Sequence, residues 1–175
     1  MMKKTLLILA AALSGVWAAG AQTGREWQDP AVNEINRLPM RSSFAAGECL
    51  SLDGVWKFHW VRNASERPSG IGAVDYDDAA WGSMPVPGMW ELNGYGDPVY
   101  VNIGYAWRGN FRNDPPYVPD AENHVGSYRR TFDIPASWGG KDIFLSIGSA
   151  TSNVYVWVNG RFVGYSEDSK LAAQF

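Results

Sequence analysis

Few side chains in this 175-residue sequence could do chemistry by themselves. His59 and His124 are the two histidines, each isolated, and a lone histidine in a strand or loop is more often structural than catalytic. The single cysteine, Cys49, has no partner for an internal disulfide, so the fold must be held by its core. Glu34, Glu48, Glu66, Glu91, Glu122 and Glu167 are scattered along the chain. Catalysis by paired acids needs two carboxyl groups brought close together, and no such pair can be assigned among them. Flat rings are plentiful, with Trp at 27, 56, 60, 81, 90, 107, 138 and 157. Tryptophan fills cores and also stacks on sugar faces, and the core or rim reading is the commoner one, so no single Trp is singled out as a ligand.

The elements that would position any site begin after a leader. Lys3 and Lys4 precede an apolar stretch from Leu6 to Leu13 and the small triplet Ala19, Gly20, Ala21, the pattern of a signal peptide over residues 1–21. A permanent anchor would need about 20 apolar residues. No cysteine follows the apolar run for lipid attachment, so the product is expected to be exported, periplasmic or secreted, with no membrane span after cleavage. Removing the leader takes two lysines and moves the formal charge from −3 to −5, with 13 basic against 18 acidic residues. No basic stripe points to nucleic acid. The remaining 154 residues suit one domain that buries close to 70% of its unfolded surface.

Residues 22–46 show no strand alternation and contain Pro30 and Pro39, with a helix-like spacing through Val32, Ile35 and Leu38; a short helix or an extended arm fits. From Leu52 the period becomes two, with Trp56, Phe58 and Trp60 on one face and Val55, Lys57 and His59 on the other, a half-buried strand. Residues 62–82 read as a surface connection with a short helical turn. Met84 to Pro119 is a long stretch without regular period, and Trp90, Tyr95, Tyr100, Tyr105, Trp107, Phe111 and Tyr117 would anchor it as an ordered platform. Period two returns at Tyr128–Ile134, Ile143–Ile147 and Val154–Val158, and Asn159-Gly160 then marks a hairpin with Arg161–Tyr165 as the return strand. Short strands with turn residues between them predict an all-β domain, a jelly-roll-like β-sandwich over residues 47–175. Asp168–Phe175 reads as a loop leading into another strand, so the domain is expected to be incomplete at its C-terminus and the chain to continue.

Four segments carry a family resemblance. They are Glu26-Trp27-Gln28-Asp29-Pro30 through Ile35-Asn36-Arg37-Leu38; Leu52-Asp53-Gly54-Val55-Trp56-Lys57-Phe58; Val86-Pro87-Gly88-Met89-Trp90 with Gly94-Tyr95-Gly96-Asp97-Pro98-Val99-Tyr100-Val101-Asn102; and Val158-Asn159-Gly160-Arg161-Phe162-Val163-Gly164-Tyr165 with Glu167-Asp168-Ser169-Lys170. In this order they resemble the N-terminal, galactose-binding-like domain of family 2 glycoside hydrolases, most closely the long β-galactosidases. The opening strand alone would suit β-glucuronidases or β-mannosidases of the same family. The arm, the Asp97–Asn102 run and Pro115-Pro116-Tyr117-Val118-Pro119 look like the galactosidase branch. The sequence departs from that branch at Ala106-Trp107, where proline would be expected after Tyr105, which leaves the sugar and linkage preference open.

The resemblance implies that Asn102 and Asp168 reach into the active site of a following barrel domain and contact a β-galactoside. An amide can donate to one sugar oxygen and accept from another, and a carboxylate can accept from two neighbouring hydroxyls. It also implies a sodium ion at Asp168, a hard cation suited to oxygen ligands, and Na+ and Mg2+ in the full-length enzyme. Without the resemblance, Asn102 reads as a turn residue and Asp168 as a loop-closing acid. Glu26 and Asp29 are candidates for a metal site near the arm, with surface solvation the commoner role. The resemblance places the catalytic glutamates downstream of Phe175, assigns no catalytic residue to this chain, and implies a homo-oligomer at full length. Two rivals stand beside it: a non-catalytic carbohydrate-binding module, and a structural sandwich whose arm mediates subunit contacts. The leader reading makes the first prediction: N-terminal sequencing of the exported protein should begin at Gln22, and a retained Met1 would overturn it.

Overall fold

The computed structural model describes residues 23–41, 47–98, 114 and 116–175. The expected signal peptide lies outside the described residues. Within them the chain is all-β, with no α-helix and only single turns of 3-10 helix. Eight short strands follow in order: β1 (Glu34–Ile35), β2 (Gly54–Val61), β3 (Gly82–Val86), β4 (Val125–Arg129), β5 (Ser146–Ile147), β6 (Val154–Val158), β7 (Arg161–Ser166) and β8 (Ala173–Gln174). They form three antiparallel sheets, ordered β3-β2-β4, β1-β7-β6 and β5-β8.

The first sheet is organised around Phe58, which alternation in β2 turns inward; Phe58 and Met84 of β3, the residue opposite Trp56, are 1% and 0% exposed. The Phe58 ring lies 4.6 Å from that of Tyr128 on β4 and 4.7 Å from Tyr95, centroid to centroid, spacings at which tilted and edge-on aromatic pairs attract. Val55, on the opposite face of β2, is exposed. The periodic reading of this strand therefore holds, with bounds shifted to Gly54–Val61.

β3 was not legible in the period. It sits where a loop was expected, because Pro85 breaks the pattern within it and Pro87 follows it. Proline is compatible with a strand at a sheet edge, and β3 is such an edge. The strand expected over Tyr128–Ile134 instead starts at Val125 and stops at Arg129. At that point two consecutive arginines turn to separate loops. Arg129 bonds Asp78 (Nε to Oδ2, 3.0 Å) and the carbonyls of Ile71 and Ala73, while Arg130 Nη1 bonds the carbonyl of Asp53 at 2.9 Å. The helical turn expected between 62 and 82 is present as Ala64–Glu66, closed by Asn63 Nδ2 donating to Glu66 Oε1 at 2.8 Å.

In the second sheet the Asn159-Gly160 hairpin is as expected, with φ of 50° and 82° at its two turn residues. The register then slips: Val156 opposes Gly164, yet Trp157 opposes Phe162, which leaves Val163 as the extra residue of a bulge in β7. On its other side β7 is paired by the arm, Glu34 with Ser166 and Ile35 with Tyr165. Of the two forms left open for residues 22–46, the described part shows a single 3-10 turn at Glu26–Gln28 and is extended through β1. Continuing it, the Leu38 amide donates to the carbonyl of Gln174 in β8 at 2.8 Å. β8 lies within the stretch expected only to lead into a strand, and it pairs with β5; the Leu145 and Phe175 backbones extend that pairing with reciprocal 2.9 Å bonds. Gly164 allows these layers to close up, since a Cβ there would lie 2.5 Å from both the Ile35 carbonyl oxygen and the Phe175 ring.

The arm is also fixed at its start. Glu26 is 4% exposed, against the solvated role expected for it, and its carboxylate accepts from the Tyr155 hydroxyl of β6 at 2.7 Å and from the Thr23 amide at 2.5 Å. Burial pushes the carboxyl upward, but the hydrogen bonds from Tyr155 and Thr23 outweigh it and hold the group below its ordinary 4.5. A depressed folded-state value contributes stability above the unfolded-state pKa and loses it as pH falls through the folded one. Accordingly, Tyr155→Phe, which leaves the buried carboxylate short of a donor, should cost about 2 kcal/mol at neutral pH. In urea denaturation the gap between this variant and the wild type should narrow as pH falls below about 4.5. A gap that stays constant with pH would show that Glu26 is not the partner that matters.

Candidate functional site

At the end of β7 the chain brings arm and loop residues into one ionic cluster. The bulge leaves the Val163 carbonyl out of the regular pairing, and Asn36 Nδ2 donates to it at 3.0 Å. Asn36 has φ of 57°, a left-handed conformation that asparagine tolerates better than most residues. With Asn36 fixed in that turn, the next residue, Arg37, lies over the end of β7. Its Nη1 donates to Ser166 Oγ at 3.0 Å and to Asp168 Oδ2, and its Nη2 donates to Glu34 Oε2.

The Arg37 side chain is only 7% exposed, against 34% for Asp168 and 45% for Glu34. Burial alone would lower the guanidinium pKa, but the hydrogen bonds to Asp168 and Glu34 and the charges of both outweigh it and raise the value, so the group stays cationic. One positive and two negative side chains leave the cluster with a formal charge of −1. Asp168 Oδ2 is taken by Arg37, whereas Oδ1 accepts no hydrogen bond from the described residues.

The backbone on either side of Asp168 is held as well. The Glu167 amide donates to the Asn33 carbonyl at 3.2 Å, and Glu167 Oε2 accepts from the Tyr165 hydroxyl at 2.6 Å. Tyr165 is 0% exposed; burial raises its phenol pKa and the Glu167 carboxylate raises it further, so it remains a donor. Beyond Asp168, the Leu171 amide bonds the Asp168 carbonyl at 3.2 Å and the Lys170 amide bonds the Ala150 carbonyl at 2.8 Å. The result is a half-exposed carboxylate with one oxygen fixed by Arg37 and one that accepts no hydrogen bond from the described residues. Such a group can accept a hydrogen bond from a hydroxyl or offer one ligand to a hard cation.

Of the other residues singled out from sequence, Asn102 lies outside the described residues, so its placement beside Asp168 is not seen. Glu26 and Asp29 do not form a metal site together: Glu26 is engaged as above, and Asp29 Oδ1 accepts from the Ala31 amide at 3.0 Å. Among the described residues no group of three or more His, Cys, Asp or Glu is placed to hold a metal. Asp168 fits sodium as a contributor of one oxygen, and the remaining ligands would have to come from elsewhere. Of the ring-anchored platform, Trp90 and Tyr95 pack on Phe58, and Trp90 Nε1 donates to Tyr128 Oη at 2.5 Å, while Tyr117 is 63% exposed. Tyr100, Tyr105, Trp107 and Phe111 fall outside the described residues. Sequence reasoning quoted Arg37 as part of a motif but gave it no role. Its contact with Asp168 spans 131 positions and leaves no local signal.

Comparison with known proteins places the chain. A family model described as "Glycosyl hydrolases family 2, sugar binding domain" matches residues 49–175. A β-galactosidase of Halalkalibacterium halodurans is 39% identical over 161 residues, covering 85% of this chain and 16% of that protein. A β-galactosidase of Priestia megaterium is 42% identical over 125 residues, covering 71% of this chain and 12% of its own length. A β-galactosidase large subunit of Leuconostoc lactis is 34% identical over 178 residues, 88% of this chain and 28% of the subunit. The chain thus spans well under a third of each of these relatives.

Proposed function

The chain belongs to glycoside hydrolase family 2, as the sugar-binding domain of that family, and from this premise we propose that it is the N-terminal portion of a β-galactosidase hydrolysing terminal non-reducing β-D-galactose residues with retention. The observation that carries the reading is the state of Asp168: one carboxylate oxygen is locked by Arg37 and the other accepts no hydrogen bond from the described residues, on a half-exposed loop within the stretch matched by the family 2 sugar-binding domain. In this role Asp168 accepts from a sugar hydroxyl and supplies one oxygen to a sodium ion, whose positive charge suits a cluster of formal charge −1. Asn102 joins it as a second sugar contact. The two carboxyl groups that retention requires, about 5 Å apart, come from a downstream barrel, and the domain itself has no turnover. Its three small sheets form part of a jelly-roll-like sandwich that continues past Phe175. The parent protein is exported, binds Na+ and Mg2+, and assembles as a homo-oligomer.

The test separates this reading from a binding module and from a structural domain. Residues 22–175 expressed alone should neither hydrolyse a chromogenic β-D-galactoside nor bind galactose measurably by calorimetry. In the full-length protein, Asn102→Ala should lower kcat/KM at least about tenfold, the scale of losing a polar contact to a substrate hydroxyl. Tight sugar binding by the isolated domain would favour a binding module, and unchanged kinetics for the variant would favour a structural role.

A further inference from the structure

We infer that Arg37 is a positioning residue of the sugar site, through which the N-terminal arm sets the orientation of Asp168. The inference rests on the proposed role of Asp168 and adds a residue that contacts no substrate. Three observations carry it. The guanidinium is nearly buried although the carboxylates it joins are partly exposed, so it is the fixed member of the cluster and they are arranged around it. It takes one oxygen of Asp168, the other accepting no hydrogen bond from the described residues, and so restrains rotation of the carboxylate about its last bond. Its own placement is determined on every side: β1 pairs with β7 before it, Asn36 grips the bulged carbonyl of Val163 beside it, and the Leu38 amide bonds β8 after it.

The planar fork of arginine suits this task. It meets Ser166, Asp168 and Glu34 with two nitrogens at fixed angles, a geometry that the single ammonium of lysine cannot reproduce. A substrate-contacting carboxylate must be held within roughly half an ångström of its productive place. Backbone bonds hold the loop on either side of Asp168, and among the described residues the ion pair from the arm is what restrains the Asp168 side chain itself.

The experiment is a double-mutant cycle in the full-length protein, with a chromogenic β-D-galactoside as substrate and thermal unfolding followed in parallel. Arg37→Gln should lower kcat/KM about tenfold or more, Asp168→Asn should lower it at least as far, and the double variant should fall no more than about twofold below Asp168→Asn alone. That non-additivity is the signature of action through Asp168; a role confined to holding the arm would lower kcat/KM in both backgrounds alike. If Arg37→Gln does not fold, Arg37→Lys, which keeps the charge and loses the fork, carries the same cycle. Three results overturn the inference. Wild-type kinetics for the Arg37 variant beside an impaired Asp168→Asn would remove Arg37 and leave the sugar role of Asp168 standing. Effects that multiply would make Arg37 structural. Wild-type kinetics for Asp168→Asn would remove the sugar role itself and the inference with it.

Discussion

The pairing of the N-terminal arm along β7 is the constraint on which the described structure most depends. β7 carries the hairpin to β6, the bulge at Val163 and the loop to Asp168, and without the arm its outer edge would expose unpaired amides and carbonyls. Only two residues of the arm, Glu34 and Ile35, form the ladder. A pairing that short cannot hold by backbone bonds alone, and side chains reinforce it at both ends. Upstream, Glu26 receives the Tyr155 hydroxyl; downstream, Arg37 bridges Ser166, Asp168 and Glu34. Between them Gly164 lets the Ile35 carbonyl and the Phe175 ring approach β7 more closely than any side chain would permit.

The first sheet is linked to this assembly through loops and polar contacts. Arg129, at the end of β4, holds the 71–78 loop, and Gly72 of that loop lies against the Trp157 ring of β6. On the other side, Arg67 Nη2 bonds the Gly24 carbonyl of the arm at 2.8 Å, and Gln28 Nε2 bonds the Val118 carbonyl at 3.2 Å. The arm therefore touches β7, β8 and the loops that flank the first sheet. Such linkage by charged and amide groups demands a definite geometry, where apolar contact alone would tolerate sliding.

What could be read from the sequence follows from which interactions are local. β2 was visible because one of its sides faces a packed layer and the other faces outward, so the chain must alternate; β6 was visible through its alternating valines and aromatic residues, although neither of its faces is exposed. The Asn159-Gly160 turn was visible because few residue pairs accept two successive positive φ angles. β3 was hidden by Pro85, whose tolerance depends on lying at a sheet edge, a fact of topology that no window of sequence contains. Glu26 was expected in solvent because its compensating donor, Tyr155, lies 129 positions away. Asp168 was singled out through its motif, while Arg37 was not, since a motif marks which residues stand together and does not say which of them bear on each other.

Ionic clusters like that of Arg37 are not efficient sources of stability. Drawing a guanidinium out of water costs several kcal/mol, which its partners recover only with good geometry, and an apolar replacement of the whole cluster is often neutral or better. The buried Nε of Arg37 finds no partner among the described residues, so even this arrangement is incompletely satisfied there. Stability is thus a weak explanation for a buried arginine at the join of arm, strand and loop. Registration is a stronger one. The two-residue ladder could slip along β7, and a slip of one residue would turn Ile35 outward and carry Arg37 away from the loop. With Arg37 bound to Ser166 on the strand and to Asp168 on the loop, only one alignment satisfies the charge. The same contacts that hold the arm in register also hold the Asp168 carboxylate, so the alignment of the arm and the placing of that side chain rest on one guanidinium.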